Sequence, residues 1–199
     1  MRAESDSGIL KLFKQIEAYI PCCSQEEQDK RMILDAVRQD KQILLRESRM
    51  AHMTASAWVV NEDWSKVLMC YHRLYHSWSW LGGHADGEWD LLKTALKEVR
   101  EESGIFQVKP VSQEIFSLEV LTAEGHEKRG EYISSHLHLN VTFLLEADES
   151  ELPQVKEDEN SGVAWFALDD ALKVSDEPWM RERIYKKLNQ KLFRLKSQK

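Results

Sequence analysis

Apolar residues follow two different spacings along this chain of 199 residues. Near the N-terminus they recur every three or four positions, which predicts helices over 8–20 and 25–39 on either side of Pro21. Helical spacing returns over 89–103 and after Pro178. Between the helices, alternating and continuous apolar runs predict strands over 53–60, 67–72, 115–121, 136–145 and 162–166. This order of elements predicts an α/β fold with a mixed sheet flanked by helices.

The helix predicted over 89–103 is apolar on one face and acidic at its end. Its apolar residues lie at helical spacing: Leu91, Leu92, Ala95, Leu96 and Val99. Glu98, Glu101 and Glu102 stand at positions i, i+3 and i+4, so their carboxylates share a face that points away from the core. Gly104 follows where a left-handed cap is expected, which ends the helix directly after the acidic turn.

These three carboxylates destabilise the helix that carries them. Like charges at these spacings cost roughly 0.2–0.5 kcal/mol per pair, and each anion in the last turn opposes the helix dipole by about 0.3–1 kcal/mol. A divalent cation would compensate, because Mg²⁺ prefers carboxylate oxygens together with the oxygens of a substrate phosphate. A solvated acidic face is the alternative, and the three residues alone leave both interpretations open.

The residues around this acidic turn resemble the Nudix box. That box reads G-x5-E-x7-R-E-U-x-E-E-x-G-U, where U is a bulky aliphatic residue, and the chain follows most of it from Gly83 to Ile105. The letters GGHADG at 82–87 are similar to a GGHADG-type branch of the family. Two positions depart from the box. Lys97 replaces the family arginine and lacks its bidentate fork, and Glu88 lies one residue closer to Gly83 than the early glutamate of the box.

The resemblance implies a fold, a domain organisation and a reaction. It covers about residues 51–190 and implies a Nudix-type α/β/α sandwich with a mixed sheet. Residues 1–50 would form an N-terminal helical extension, and 51–199 the Nudix hydrolase domain with its C-terminal helix. The implied activity is metal-dependent cleavage of a diphosphate (pyrophosphate) linkage in a nucleoside diphosphate derivative or a similar small phosphorylated metabolite.

The resemblance also implies bound Mg²⁺ or Mn²⁺ and a set of catalytic residues. The expected metal ligands are Glu98, Glu101, Glu102, Glu88 and the backbone carbonyl of Gly83. The expected catalytic residues are Glu98 as general base, Lys97, which orients it, and Glu101. A carboxylate bound to a cation has a lowered pKa and is a weak base, which keeps acids outside the box as candidates. These are Glu124, Glu127, Glu131, Glu157, Asp158 and Glu159.

Substrate contacts are expected at the start of the box and just before it. Trp78 and Trp80 share one face of a strand that leads into Gly82. They either wall the cleft and stack on a base or belong to the core, where aromatic residues at this spacing are more often found. Gly82, Gly83 and His84 complete the expected substrate-binding set.

Histidines stand at two further places in the strand pattern. Over 136–145, alternation places His136, His138 and Asn140 on one face of the strand. His72 and His76 stand four residues apart, a spacing that suits a metal only on a helix. Because they precede a predicted strand, surface or phosphate-facing histidines are the favoured interpretation there.

Composition restricts the classes of partner. A net charge of −7 and a pI near 5.6 argue against a protein that coats a nucleic-acid polymer. A small phosphorylated substrate stays compatible, because a metal can neutralise it. No apolar run approaches the roughly 18 residues of a membrane span, so no membrane partner is expected. Three cysteines form no disulfide framework, which predicts a reducing, cytoplasmic location.

Alternatives remain open at this stage. The N-terminal extension packs on the core or on a second subunit, so a homodimer is one outcome. A Nudix-fold sensor that binds a nucleotide without cleaving it would normally have lost box carboxylates, whereas this chain retains the three late ones. A diphosphate isomerase on the same scaffold would need a catalytic Cys and Glu pair, and Cys70 is the only cysteine in the predicted core. The sequence does not specify the substrate or the number of metal ions.

Overall fold

The structure is a computed structural model that describes residues 2–128, 130–155 and 160–198. The helices are α1 (Arg2–Ala18), α2 (Ser24–Gln39), α3 (Leu91–Ser103), α4 (Leu168–Val174) and α5 (Lys186–Lys196), and a π-helical segment, Met180–Tyr185, leads into α5. The strands are β1 (Ala51–Val60), β2 (Lys66–His72), β3 (Ser77–Ser79), β4 (Leu81–His84), β5 (Val108–Pro110), β6 (Ser117–Ala123), β7 (His126–Lys128), β8 (Glu131–Ile133), β9 (His136–Ala147) and β10 (Asn160–Ala167). Within these ranges, no helix is both long and apolar enough to cross a membrane.

The strands form a large sheet and a small one. The large sheet has the order β10-β2-β1-β9-β5, with β3 paired to β2, β4 to β1 and β6 to β9. β7 and β8 pair with each other in a two-stranded sheet. The residues cluster into two compact units. The first comprises 1–56, 83–94 and 113–143, and the second comprises 57–82, 95–112 and 144–199.

In the first unit, a buried polar network connects α2 to β6 and β9. Glu26 on α2 and Glu119 on β6 are both fully buried. The Ser117 hydroxyl lies 2.8 Å from a Glu26 oxygen and also contacts Glu119. Glu119 accepts hydrogen bonds from the Thr142 hydroxyl at 2.7 Å and the Asn140 amide at 3.1 Å. Buried carboxylates are costly unless they are paired in this way, so the network fixes where the N-terminal helices pack.

In the second unit, β2 lies between two antiparallel neighbours. Cys70 of β2 is opposite Val163 of β10 on one side and Ser79 of β3 on the other. Tyr185 is fully buried, stacks on Trp58 with ring centroids 5.3 Å apart, and places its hydroxyl 3.1 Å from the Ser79 hydroxyl. Of the apolar residues that predict the helix after Pro178, Ile184, Leu188 and Leu192 are buried, whereas Leu195 is 39% exposed.

The predicted α/β fold with flanking helices is confirmed, with element boundaries shifted by a few residues. α3 begins at Leu91 rather than at residue 89, and β10 is longer than predicted, starting at Asn160. The short strands β5, β7 and β8 were not predicted, because three residues are too few for alternation to be recognised. The division into an extension over 1–50 and a domain over 51–199 remains a prediction.

The N-terminal helix contacts the segment that precedes α3. Gly8 of α1 is buried against Trp89, and a Cβ added to Gly8 would lie 2.4 Å from Cγ and Cδ1 of the indole. The Lys11 ammonium lies 5.0 Å from the centroid of a Trp89 ring, a distance suited to a cation–π contact. Close approach therefore requires glycine at position 8, although glycine is a poor helix former.

We expect Gly8→Ala to destabilise the protein. The added methyl group gains about 1 kcal/mol of helix propensity but forces overpacking against Trp89 that costs roughly 1–3 kcal/mol. Urea unfolding should therefore show a free energy of unfolding lower by about 1 kcal/mol. Ser7→Ala, at the exposed neighbouring position, is the matched control and should not lower stability. A Gly8→Ala variant as stable as the wild type would show that α1 does not approach Trp89 this closely.

Candidate active site

Helix α3 ends directly after its three carboxylates, and glycine makes this ending possible. The Gly104 N–H donates to the Arg100 carbonyl at 3.0 Å, and Gly104 has φ +68°. A Cβ there would also lie 2.8 Å from Gln154, so both the backbone conformation and the space require glycine. The predicted left-handed cap is confirmed.

Glu98 and Glu101 share the ammonium of Lys97. The Lys97 Nζ lies 3.2 Å from Glu98 Oε1 and 3.5 Å from Glu101 Oε2. The Glu98 side chain is only 13% exposed, whereas those of Glu101 and Lys97 are 43% and 58% exposed. Burial acts to lower the pKa of Lys97, but its hydrogen bonds and attraction to the two carboxylates outweigh this and raise the pKa. Lys97 therefore stays charged and offsets the repulsion between its two neighbours.

Glu102 is held differently from the other two acids. It is buried, and its Oε2 accepts a hydrogen bond from the backbone N–H of Gly82 at 2.9 Å. The Asn160 amide donates to the backbone carbonyl of Glu102 at 2.8 Å. The first contact fixes the end of α3 against Gly82, and the second joins it to the start of β10. Gly82 and Gly83 are called the glycine pair below.

The first part of the box forms a tight turn within the first unit. Asp86 and Gly87 both have positive φ, +46° and +92°. Asp86 forms a bidentate ion pair with Arg46, with both N···O distances 2.7 Å. Glu88 is half-buried, and its Oε1 accepts a hydrogen bond from the Asp90 N–H at 2.9 Å. The Glu88 carboxylate thus has a backbone partner at the start of α3.

The two tryptophans expected near the substrate have extensive contacts inside the second unit. Trp78 is half-buried and meets Phe166 and Tyr71 edge-on, with ring centroids 4.8 and 5.6 Å away. Trp80 is only 8% exposed and lies edge-on to Tyr185 at 5.9 Å. Both indoles are thus part of the aromatic packing of this unit, and a role in substrate binding stays a prediction.

The candidate bases outside the box divide into two groups. Glu124, Glu127 and Glu131 are exposed on and beside the β7–β8 hairpin. The other three, Glu157, Asp158 and Glu159, lie outside the described residues.

A cluster of four imidazole rings was not predicted. His52, His84, His136 and His138 all belong to the first unit. Ring centroids are 4.9 to 5.1 Å apart in five pairs: His52–His84, His52–His136, His52–His138, His84–His138 and His136–His138. Alternation along the strand indicated that His136 and His138 share a face, but nothing in the sequence connected them to His52 or His84.

Comparisons with known proteins identify the family and the fold. The family model described as "NUDIX domain" matches residues 50–188. No curated protein matches the chain. Among solved structures, an Ap4A hydrolase binary complex from C. elegans is similar with a TM-score of 0.54 and 20% identity, covering 74% of this chain and 98% of that one. A NUDIX-family hydrolase from Clostridium perfringens has a TM-score of 0.50 and 19% identity, covering 72% and 97%.

Two findings decide the assignment. The solved structures share the fold, and the family model spans most of the chain, including the glycine pair and all of α3. The chain therefore belongs to the Nudix hydrolase family.

Proposed function

We propose that this Nudix hydrolase uses a divalent metal to cleave a diphosphate linkage in a nucleoside diphosphate derivative or a similar small phosphorylated metabolite. The observation that carries the proposal is the arrangement at the end of α3. Three carboxylates lie within five residues, two of them already in contact with a cation, the Lys97 ammonium. The family membership supports a hydrolase, and the donor chemistry supports the metal.

The residues present fit Mg²⁺ or Mn²⁺. Both are hard cations that prefer oxygen ligands, and Glu98, Glu101 and Glu102 supply three carboxylates on one helix end. The Lys97 contacts are partly exposed and therefore weak, so a divalent ion can take over Glu98 and Glu101 at little cost. We propose the Gly83 carbonyl and Glu88 as additional ligands. When bound, the ion supplies charge neutralisation for phosphate oxygens and acidifies a nearby water.

The other roles in the reaction are proposed for individual residues of the chain. Glu98 is proposed as the general base that takes the proton of the attacking water, with Lys97 orienting its carboxylate and Glu101 completing the charged face. Glu102, held by the Gly82 N–H, keeps the acidic turn next to the glycine pair. Gly82, Gly83 and His84, with Trp78 and Trp80, are proposed to contact the substrate.

Further proposals concern the location of the protein and its partners. We propose a cytoplasmic location, in keeping with three free cysteines, of which Cys70 is buried. The same burial gives no support to an isomerase that would need a reactive thiol at this position. We further propose a small-molecule substrate rather than a nucleic-acid polymer, and a homodimer stays open.

We expect the purified protein to hydrolyse at least one diphosphate in a panel that includes sugar nucleotides, dinucleoside polyphosphates, oxidised nucleotides and nucleotide cofactors, with Mg²⁺ or Mn²⁺ present. Glu102→Gln keeps an oxygen that can accept the Gly82 hydrogen bond but removes the charge, so kcat/KM should fall at least about a hundredfold. Product analysis in isotope-labelled water will show which phosphorus atom is attacked.

The matched control is Asp169→Asn, which removes one exposed carboxylate from α4 and should leave kcat/KM unchanged. Turnover that persists after exhaustive chelation would contradict the metal requirement. Tight metal-free nucleotide binding by the wild type, without turnover of any compound in the panel, would instead favour a sensor.

The pH dependence of kcat/KM tests the identity of the general base. A base must be deprotonated to act, so activity should fall as pH drops through its pKa. Glu98→Gln should lower kcat by roughly 10²- to 10⁴-fold and remove this acidic limb from the profile. Glu124→Gln, Glu127→Gln and Glu131→Gln should each retain it. If one of these three variants loses the acidic limb of the profile while Glu98→Gln retains it, the general base is that hairpin residue and not Glu98.

A further inference from the structure

The histidine cluster has the dimensions of a metal site. His52 lies on β1, His84 at the end of β4 and His138 on β9, so three separate strands contribute one ring each. One ring nitrogen from each residue lies within 4.8 Å of the other two. Three atoms at such distances always have a common point within about 2.8 Å of each, whereas zinc–nitrogen bonds are about 2.0–2.1 Å long. Each nitrogen therefore needs to move inward by less than about 1 Å.

His52 presents a nitrogen with no partner among the described residues. The residue is 4% exposed, and its Nδ1 lies 3.1 Å from the Ser48 carbonyl oxygen. Because a carbonyl only accepts, Nδ1 carries the proton and Nε2 keeps a lone pair. That Nε2 is buried and makes no hydrogen bond within the described part of the chain. A buried polar atom without a partner is costly, and a cation in the cluster would remove this cost.

A second hydrogen-bond chain orients His138. The His136 Nδ1 lies 2.8 Å from the Ser134 carbonyl, so it carries the proton of that ring. The His136 Nε2 then accepts from the His138 Nε2 at 3.1 Å, which leaves a lone pair on the His138 Nδ1. A metal-bound histidine typically donates its other N–H in this way, to a carbonyl or a similar acceptor.

The hydrogen bonds described above give His52 and His138 one N–H and one nitrogen lone pair each. Neutral imidazole is the form that binds metals, whereas an anion such as phosphate would need the protonated ring. The cluster is therefore unsuited to an anion.

We propose that His52, His84 and His138 bind one transition-metal cation of the zinc class, with His136 as a positioning residue. Imidazole nitrogens suit zinc and its first-row neighbours, whereas Mg²⁺ and Mn²⁺ suit the oxygen donors at the end of α3. Three protein ligands leave a fourth position open to water or to an oxygen of a small molecule. The site also joins β1, β4 and β9 through a single ion.

Cobalt binding tests the site without relying on enzyme activity. The untagged full-length chain, freed of metal by chelation, is titrated with Co²⁺ and followed by visible absorption, with Zn²⁺ as competitor. We expect one equivalent of Co²⁺ with the intense d–d bands of low coordination number, no thiolate charge-transfer band, displacement by Zn²⁺ and no displacement by millimolar Mg²⁺.

Variants identify the ligands. His138→Gln and His84→Gln, at half-buried positions, should weaken Co²⁺ binding at least about tenfold, and His136→Gln should weaken it by roughly 10- to 100-fold while keeping the spectral shape. His76→Asn is the matched control, because it removes an exposed histidine at a positive φ that asparagine tolerates. Circular dichroism of the metal-free variants checks that each one folds.

Glu102→Gln separates this site from the proposed catalytic one. It should leave Co²⁺ affinity for the histidine cluster unchanged, even where it abolishes diphosphate hydrolysis. Equal Co²⁺ affinity in wild type, His138→Gln and His84→Gln would overturn the proposal, and so would loss of the bands in Glu102→Gln. Neither result would contradict the proposed hydrolase activity, which depends on the carboxylates of α3. Because His84 is also a proposed substrate contact, His84→Gln is judged here by Co²⁺ binding alone.

Discussion

Repulsion between the carboxylates at the end of α3 is the constraint on which the proposed site depends. Two kinds of contact offset this repulsion. Glu102 is buried and fixed by a backbone N–H, whereas Glu98 and Glu101 share one lysine ammonium. The first contact is structural and stays in place. The second is made by the exposed ammonium of Lys97, which exchanges partners easily. A helix end with one anchored acid and two acids that share a cation is well suited to binding and releasing a divalent ion.

The buried acids of the first unit show what a purely structural carboxylate looks like in this protein. Glu26 and Glu119 are fully buried and surrounded by hydroxyl and amide donors. Tyr19 donates to Glu26 at 2.5 Å, and burial together with that carboxylate raises the pKa of the phenol. Such acids are enclosed by fixed partners and cannot be reached by a substrate. Glu98 and Glu101 differ because their common partner is a flexible side chain.

The sequence predicted those parts of the site that depend on local geometry. Helical periodicity predicted Glu98, Glu101 and Glu102 on one face pointing away from the core, which was wrong for Glu102 because it is buried. Gly104 indicated where the helix ends. The contact of Lys97 with Glu101 was also predictable, because residues at i and i+4 of a helix are neighbours. The contact between Glu102 and Gly82 was not predictable, since it depends on how β4 and α3 pack rather than on any spacing in the chain.

The histidine cluster shows this limit more clearly, because its members come from three strands far apart in sequence. Alternation identifies which residues share a face of one strand, but strand order and register decide which faces meet. Once the faces have met, the type of donor atom indicates which cation the cluster would bind. The chain gathers nitrogen donors in one place and oxygen donors in another, and cations that prefer nitrogen differ from those that prefer oxygen. If both proposals hold, the nitrogen donors and the oxygen donors would therefore bind different kinds of metal.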